Sequence, residues 1–357
     1  MLSVGTSSCP PLETSQRSIH RRRPLFEMNN PRFLDLHDVT EIARATGVPA
    51  AIITEYEQSR DQASFYTRLK IPKRGRKRAG QYRIVYRAKN EWLAQLHRQA
   101  AVLVMAGTPF GEHVQGFVHG RSIRTNATQH LGVREVLHGD IRDFFDSITT
   151  AQVQRGLISL GAPAAMADLW SRACTIDGYL RQGTRCSPAL ANLVCRQVDV
   201  DLLALAGVHG STYTRYADDL TFSGKQTPSS EEVGAVLSQH GFSLRDGRCY
   251  SQRRGHAQFV TGLYVGDEKR PRLPSRLKHR LRLILHFVEK YGIDEHFSHH
   301  SKHSMANTPL ALAGMLRYVQ SIEPQLARKW RAQFRAGSQK SRAARDLDTS
   351  HSDDGAP

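Results

Sequence analysis

Between Tyr213 and Ser223 the chain reads as an apolar strand, an acidic turn and a second apolar strand, with Asp218 and Asp219 adjacent at the turn. Adjacent carboxylates on a tight hairpin repel each other, and no neighbouring cation pairs them in an obvious way. A divalent metal removes that cost, and hard oxygen ligands suit Mg²⁺, which leaves its other positions to water and phosphate. Asp140, at the end of a predicted buried strand over Glu135–Ile141, is a third carboxylate that completes a two-metal set. Asp is also a common turn residue. Agreement of the pair with Asp140 and with basic surroundings favours the metal reading.

Those surroundings are unusual. The 357 residues carry 50 Lys+Arg against 33 Asp+Glu, a net charge of +17 with a pI near 10. Such a surplus points to a polyanion partner, with nucleic acid first. No apolar run is long enough to span a bilayer, so no membrane role is expected. Arg21–Arg23 is followed by Pro24-Leu25-Phe26-Glu27 rather than by the apolar stretch of an export signal. Five cysteines without a C-x-x-C pair read as reduced thiols, which implies a cytoplasmic protein.

Residues 1–30 and 337–357, rich in Ser, Arg, Pro or Asp, are expected to be disordered tails. Asp35–Gln58 predicts two short helices. Arg68–Lys89 holds ten Lys/Arg and no acid, and alternates as a basic hairpin with a Gly-rich tip. A helix over Glu91–Met105 offers Trp92, Leu96 and Leu103 for one face. Ser187-Pro188 opens a helix expected to reach Ala206. Further helices are expected over Glu231–His240, over Ser275–Tyr291 with a stop at Gly292, and over Pro309–Phe334; a strand is expected near Gln258–Val265. The pattern is α+β with a basic, helical C-terminal part.

Three segments in order carry a family resemblance. Tyr216-Ala217-Asp218-Asp219 resembles the palm signature of reverse transcriptases. Asp140-Ile141-x-x-Phe144-Phe145-x-Ser147-Ile148 is similar to their other metal-binding motif. Gln182-Gly183-x-x-x-Ser187-Pro188-x-Leu190-Ala191-Asn192, between them, is similar to the template- and nucleotide-positioning segment. Asn126-Ala127-Thr128-Gln129-His130, after Gly116-Phe117-Val118-His119-Gly120-Arg121-Ser122, resembles the N-A-x-x-H stretch of bacterial retron reverse transcriptases. Val260-Thr261-Gly262 resembles their V-T-G motif.

The resemblance implies a right-hand polymerase: N-terminal helices and fingers over 31–135, a palm of antiparallel sheet and helices over 136–266 (with a fingers segment near 150–185), and a helical thumb over 267–336. It implies two Mg²⁺ ions on Asp140, Asp218 and Asp219 with the Ile141 carbonyl. Lys73 and Arg83 would meet the triphosphate of a dNTP, Phe145 would crowd a 2′-hydroxyl, and Gln182 would line the nucleotide pocket. Asn126, His130, Val260, Thr261 and Gly262 would touch RNA, and Arg276, Lys278, Arg280 and Arg282 would track a template–product duplex. The implied activity copies part of a cognate structured non-coding RNA into branched single-stranded DNA from a guanosine 2′-hydroxyl, in phage defence with a separate effector protein.

The alternatives are a polymerase-like RNA-binding scaffold and another group of bacterial reverse transcriptase; three costly carboxylates argue against a pure binder. The family's Gly-Phe-x-x-Asn-x-x-Lys is here Gly241-Phe242-Ser243-Leu244-Arg245-Asp246-Gly247-Arg248, and arginine scarcely gives up a proton. Gly266 stands where Asn is common, and Arg185 where a small residue is. His296, His299, His300 and His303 have helical metal-face spacing, yet their Ser-rich setting favours a solvated connector.

Overall fold

A computed structural model of the chain describes residues 36–73, 80–298, 306 and 308–352, with the backbone alone for 344–352. The expected tail over 1–30, the tip cations Arg74, Arg76, Lys77 and Arg78, and His299, His300 and His303 lie outside the described residues. Helices α1 (Val39–Thr46) and α2 (Ala50–Gln58) lead into a ribbon of β1 (Tyr66–Pro72) and β2 (Tyr82–Ala88), then α3 (Glu91–Gly107) and the short α4 (Ile123–Thr128). β3 (Glu135–Asp140) precedes α5 (Thr150–Ser159), α6 (Ala164–Cys174), α7 (Ser187–Val194) and α8 (Arg196–Val208). β4 (Thr212–Tyr216) and β5 (Asp219–Gly224) form a hairpin, followed by α9 (Ser230–Gln239) and β6 (Tyr250–Arg253). A small hairpin, β7 (Phe259–Val260) and β8 (Leu263–Tyr264), leads to α10 (Ser275–Tyr291), α11 (Ile293–Ser298), α12 (Pro309–Ile322) and α13 (Pro324–Ser352).

The central sheet has the order β4-β5-β3-β6 and every pairing is antiparallel. Side chains alternate across it. Leu137, Leu220, Phe222 and Tyr213 are buried in the main apolar cluster with Trp170 of α6 and the leucines of α3, α5 and α7. Their neighbours in register, Asp140 opposite Asp219 and His138 opposite Thr221, fall on the other face. A second cluster joins α10, α12 and α13 around Trp330, and reaches back to Ala127 of α4, Val136 of β3 and Val260 of β7. Capping fixes several helix starts: Thr149 with Gln152 and Ser229 with Glu232 satisfy each other's free backbone donors at α5 and α9. Gly292, at φ 93°, ends α10 where the sequence predicts.

Three elements differ from the sequence reading. The helix expected from Pro188 to Ala206 is two, α7 and α8, joined at buried Cys195, whose ψ of −3° opens the turn. Ser187 is not its cap, because the Ser187 hydroxyl donates instead to the Arg181 carbonyl (2.8 Å). The region from Pro309 breaks at Glu323, before Pro324, a residue that disfavours helical backbone in its predecessor. The helix then runs through Gly337 to Ser352 rather than stopping. A Cβ on Gly337 would lie 2.4 Å from the Val288 carbonyl oxygen, so glycine lets α13 pack backbone-close onto α10.

Candidate active site

β4 and β5 are joined by the two-residue turn Ala217-Asp218, with Tyr216 paired to Asp219. Ala217 has φ 60°, a left-handed backbone unusual for a residue with a Cβ. Such strain persists only where the surroundings over-determine it, and here they do. Arg215 is fully buried, with Nε 2.8 Å from Asp199 Oδ1 and a terminal nitrogen 2.7 Å from Oδ2. Its other terminal nitrogen donates to Asn192 Oδ1 (3.0 Å) and to the Ala217 carbonyl (3.3 Å). Tyr213 completes the cluster by donating to Asp199 (2.9 Å). Asn192 in turn donates to the Gly116 carbonyl (2.9 Å), and a Cβ on Gly116 would lie 2.4 Å from the Ala217 nitrogen. Glycine at 116 therefore lets a loop close over the turn.

Asp140 stands directly opposite Asp219, and the Ile141 N–H donates to the Asp218 carbonyl (2.9 Å), so the three carboxylates share one sheet end. Removal from water raises Asp140 and Asp218 above the ordinary carboxylate range; Asp218 adds to the shift at Asp140. Asp219, although it reaches solvent, is pushed up to about 6, first by desolvation and then by repulsion from Asp218 and Asp140. Arg245 opposes all three shifts, and its Nε lies 3.2 Å from Asp140 Oδ1 without the alignment of a hydrogen bond. Among the described residues no three His, Cys, Asp or Glu side chains are gathered as a finished cation cage. The donor set nevertheless fits a hard cation: three mutually repelling carboxylates, one with a buried oxygen that accepts no hydrogen bond.

The ribbon delivers its cations to the same region. Lys73 acts electrostatically on Asp140 and Arg83 on Asp218. The Tyr86 N–H donates to the Gln182 carbonyl (2.7 Å), and Gly183, at φ 108°, has no room for a Cβ against Val85 and Tyr86. Gln182 is thereby fixed beside β2. Phe145 is half-buried, its ring 5.2 Å from that of Phe144 and 6.2 Å from that of Phe117.

Other expected contacts are internal. His130 is fully buried, with Nδ1 2.6 Å from Ser223 Oγ and Nε2 2.7 Å from Thr214 Oγ1. It spans β4 and β5 rather than facing RNA, and burial lowers its pKa to about 3, so the ring is neutral. Asn126 is 1% exposed and Val260 belongs to the second core, so neither presents a side chain to a ligand. Thr261-Gly262 is the tight turn of the β7–β8 hairpin, with φ of 46° and 81°, and Thr261 Oγ1 donates to the Ile123 carbonyl (3.1 Å). Gly262 alone of the three is exposed.

On α10, Arg276, Arg280 and Arg282 are exposed, but Lys278 is bound to Glu323 (2.8 Å). His296 is buried and stacked on Phe287, away from a solvated connector. At Gly266 a Cβ would lie 2.3 Å from the Tyr264 hydroxyl, which fills the space of a larger side chain. The sequence reading missed Arg245, although it occupies the Asn position of the family's Gly-Phe-x-x-Asn-x-x-Lys. It also missed Asp199, for which sequence offers no signal.

These contacts set three expectations. Asp199→Ala leaves the Arg215 cation buried and unpaired, so denaturant unfolding should show a loss of about 3–5 kcal/mol; a loss below about 1 kcal/mol would refute the anchoring role. His130→Ala strands two buried hydroxyls and should cost on the order of 1–3 kcal/mol while leaving the RNA affinity of the folded protein unchanged; a loss of affinity of about tenfold or more in the folded variant would restore a direct contact. Asp219 keeps its proton up to about 6 when folded and to near 4 when unfolded. Its stabilising contribution is therefore full below about 4 and lost as pH rises through about 6. In EDTA the wild-type melting temperature should fall along that limb relative to Asp219→Asn, and parallel curves would count against the crowding.

Residues 71–245 match the family model for reverse transcriptase (RNA-dependent DNA polymerase). The chain is 34% identical over 319 residues to the retron Mx65 reverse transcriptase of Myxococcus xanthus, covering 81% of this chain and 69% of that one. It is 30% identical over 294 residues to the retron Mx162 reverse transcriptase of the same species, covering 72% and 60%. It is 35% identical over 159 residues to the retron Ec86 reverse transcriptase of Escherichia coli, covering 43% and 49%. The match thus leaves between about a third and a half of those relatives' length unspanned. No helix among the described residues is long and apolar enough to cross a membrane. With the aspartate hairpin, the Asp140 strand and the basic ribbon assembled as above, the chain belongs to the retron reverse transcriptases, the RNA-directed DNA polymerases of retrons.

Proposed function

We propose that the chain copies part of a structured non-coding RNA into single-stranded DNA joined to that RNA through a guanosine 2′-oxygen. The observation that carries this reading is the register of Asp140 against Asp219 beside Asp218, with Lys73 and Arg83 acting on the same carboxylates. Residues 31–135 serve as N-terminal helices and fingers, 136–266 as palm and 267–336 as thumb. Asp140, Asp218 and Asp219, with the Ile141 carbonyl, hold two Mg²⁺, which lower the cost of negative charge at the attacking and leaving oxygens.

In each step a 2′- or 3′-hydroxyl oxygen bonds to the α-phosphorus of a dNTP, the bond to pyrophosphate breaks, and the hydroxyl proton passes to solvent. Lys73 and Arg83 orient the triphosphate. Gln182 borders the base, and Phe145, its ring fixed by Phe144 and Phe117, excludes a ribose 2′-hydroxyl. Arg276, Arg280 and Arg282 follow the product duplex; Lys278 anchors the helix that bears them. Arg248 binds the leaving pyrophosphate without protonating it. A separate effector and a part in phage defence belong to the same reading.

The test expresses the gene with its flanking DNA and purifies the protein with bound nucleic acid. We expect single-stranded DNA that shortens with debranching enzyme and vanishes in Asp218→Ala/Asp219→Ala. Bound RNA without DNA would overturn the reading in favour of a scaffold. With purified enzyme, Phe145→Ala should improve ribonucleotide use at least about tenfold, and unchanged discrimination would remove its gate role.

A further inference from the structure

The end of the central sheet remote from the aspartates is also built from charge. β3 begins there at Glu135 and reaches Asp140 five residues on, about 16 Å away at the usual strand rise. β5 runs the other way and is followed by Lys225 and Gln226, while β6 ends at Arg253 and is followed by Arg254. Together with Arg134 these residues line a cavity of about 410 Å³. Its one carboxylate, Glu135, is already matched by Arg253 at 3.1 Å. Arg254 reaches Glu268 at 3.4 Å, but both side chains are largely exposed, so water competes for that pair. Arg134 and Lys225 are exposed, and neither makes an ion pair among the described residues.

The cavity has a fixed frame. The Arg254 N–H donates to the Arg134 carbonyl (2.7 Å), and Gln258 Nε2 donates to the same oxygen (3.3 Å). Two segments more than a hundred residues apart in sequence are thus held at set spacing. The lining contains no aromatic or apolar side chain, so it offers bases no aromatic platform. Four cations against the single matched carboxylate Glu135 suit phosphodiester charge, a contact that fixes position on the strand.

We propose that this cavity is a second nucleic-acid contact, which holds the backbone of the RNA template outside the copying groove through Arg134, Lys225, Arg253 and Arg254. The inference rests on the polymerase reading above. It adds a contact that no sequence motif marks, on the opposite end of the same sheet.

The test uses Arg134→Ser/Lys225→Ser/Arg254→Ser, which spares the Glu135–Arg253 pair, and the single Lys225→Glu as a variant with less risk to folding. Two oligo(rA) templates share one oligo(dT) primer; one is nearly blunt and the other carries a long single-stranded extension. Fluorescence anisotropy at several salt concentrations reads the slope of log affinity against log salt. On the extended template the triple variant should lose about two units of slope, at about 0.7 per phosphate contact on a single strand. Lys225→Glu should move the same way. On the nearly blunt template both slopes and single-nucleotide addition should match the wild type. Unchanged slopes on the extended template, or equal losses on both templates, would overturn the proposal. Failure of the wild type to add a nucleotide would overturn the polymerase reading alone, since the slopes would still report on the cavity.

Discussion

The buried pair of Arg215 and Asp199 is the interaction on which the site depends. Removing two charges from water is expensive, and it is offset here by bidentate geometry and by Tyr213 and Asn192, which engage the remaining lone pairs and protons. The pair ties α8 to β4, and through Asn192 it also reaches Gly116 on the loop over the hairpin. One guanidinium nitrogen supports the Ala217 carbonyl at the strained position of the turn. A hydrophobic replacement could fill the same volume, but it would not direct donors at that carbonyl. The cluster sets turn geometry, and the turn places Asp218 and Asp219.

On the exposed side of this support the electrostatics reverse. Inside, each charge has its partner at under 3 Å; at the sheet end, desolvation raises the proton affinity of all three carboxylates, Asp218 adds to it at Asp140, Asp218 and Asp140 add to it at Asp219, and Arg245 only partly compensates. The same chain therefore holds a saturated ion pair and an unsaturated acidic cluster within one hairpin. Saturation gives rigidity to the backbone, and the lack of it leaves a demand for cation and phosphate at the solvent face. Lys73 and Arg83, on a ribbon tied to Gln182, bring positive charge to that face from another part of the sequence.

Local pattern made much of this legible. Alternation around Asp218-Asp219 predicts the hairpin, the basic alternation of Arg68–Lys89 predicts the ribbon, and Gly292 marks the end of α10. What sequence cannot carry is burial and long-range pairing. Asn126 and His130 look like ligand-binding residues because of their type, yet the fold places both inside, where His130 joins two strands. Lys278 reads as one more cation of a basic helix, but Glu323, distant in sequence, claims it. Gly337 reads as the start of a disordered tail; within the fold it lies inside α13, and its missing side chain is what allows two helices to touch. Arg245 was visible in its motif, but only the structure places it against Asp140.

The two apolar clusters close at different points along the chain. The first is assembled from residues between Leu36 and Phe242, the second from Ala127 and Val136 together with residues from Val260 to Trp330. During synthesis from the N-terminus, the first can therefore condense on the ribosome before the helices that complete the second have emerged. Until then Ala127, Val136 and the face of α4 have no cover. The order of folding is thus written into the chain: the half that carries the carboxylates closes first, and the basic helical end arrives later to seal a surface left open for it.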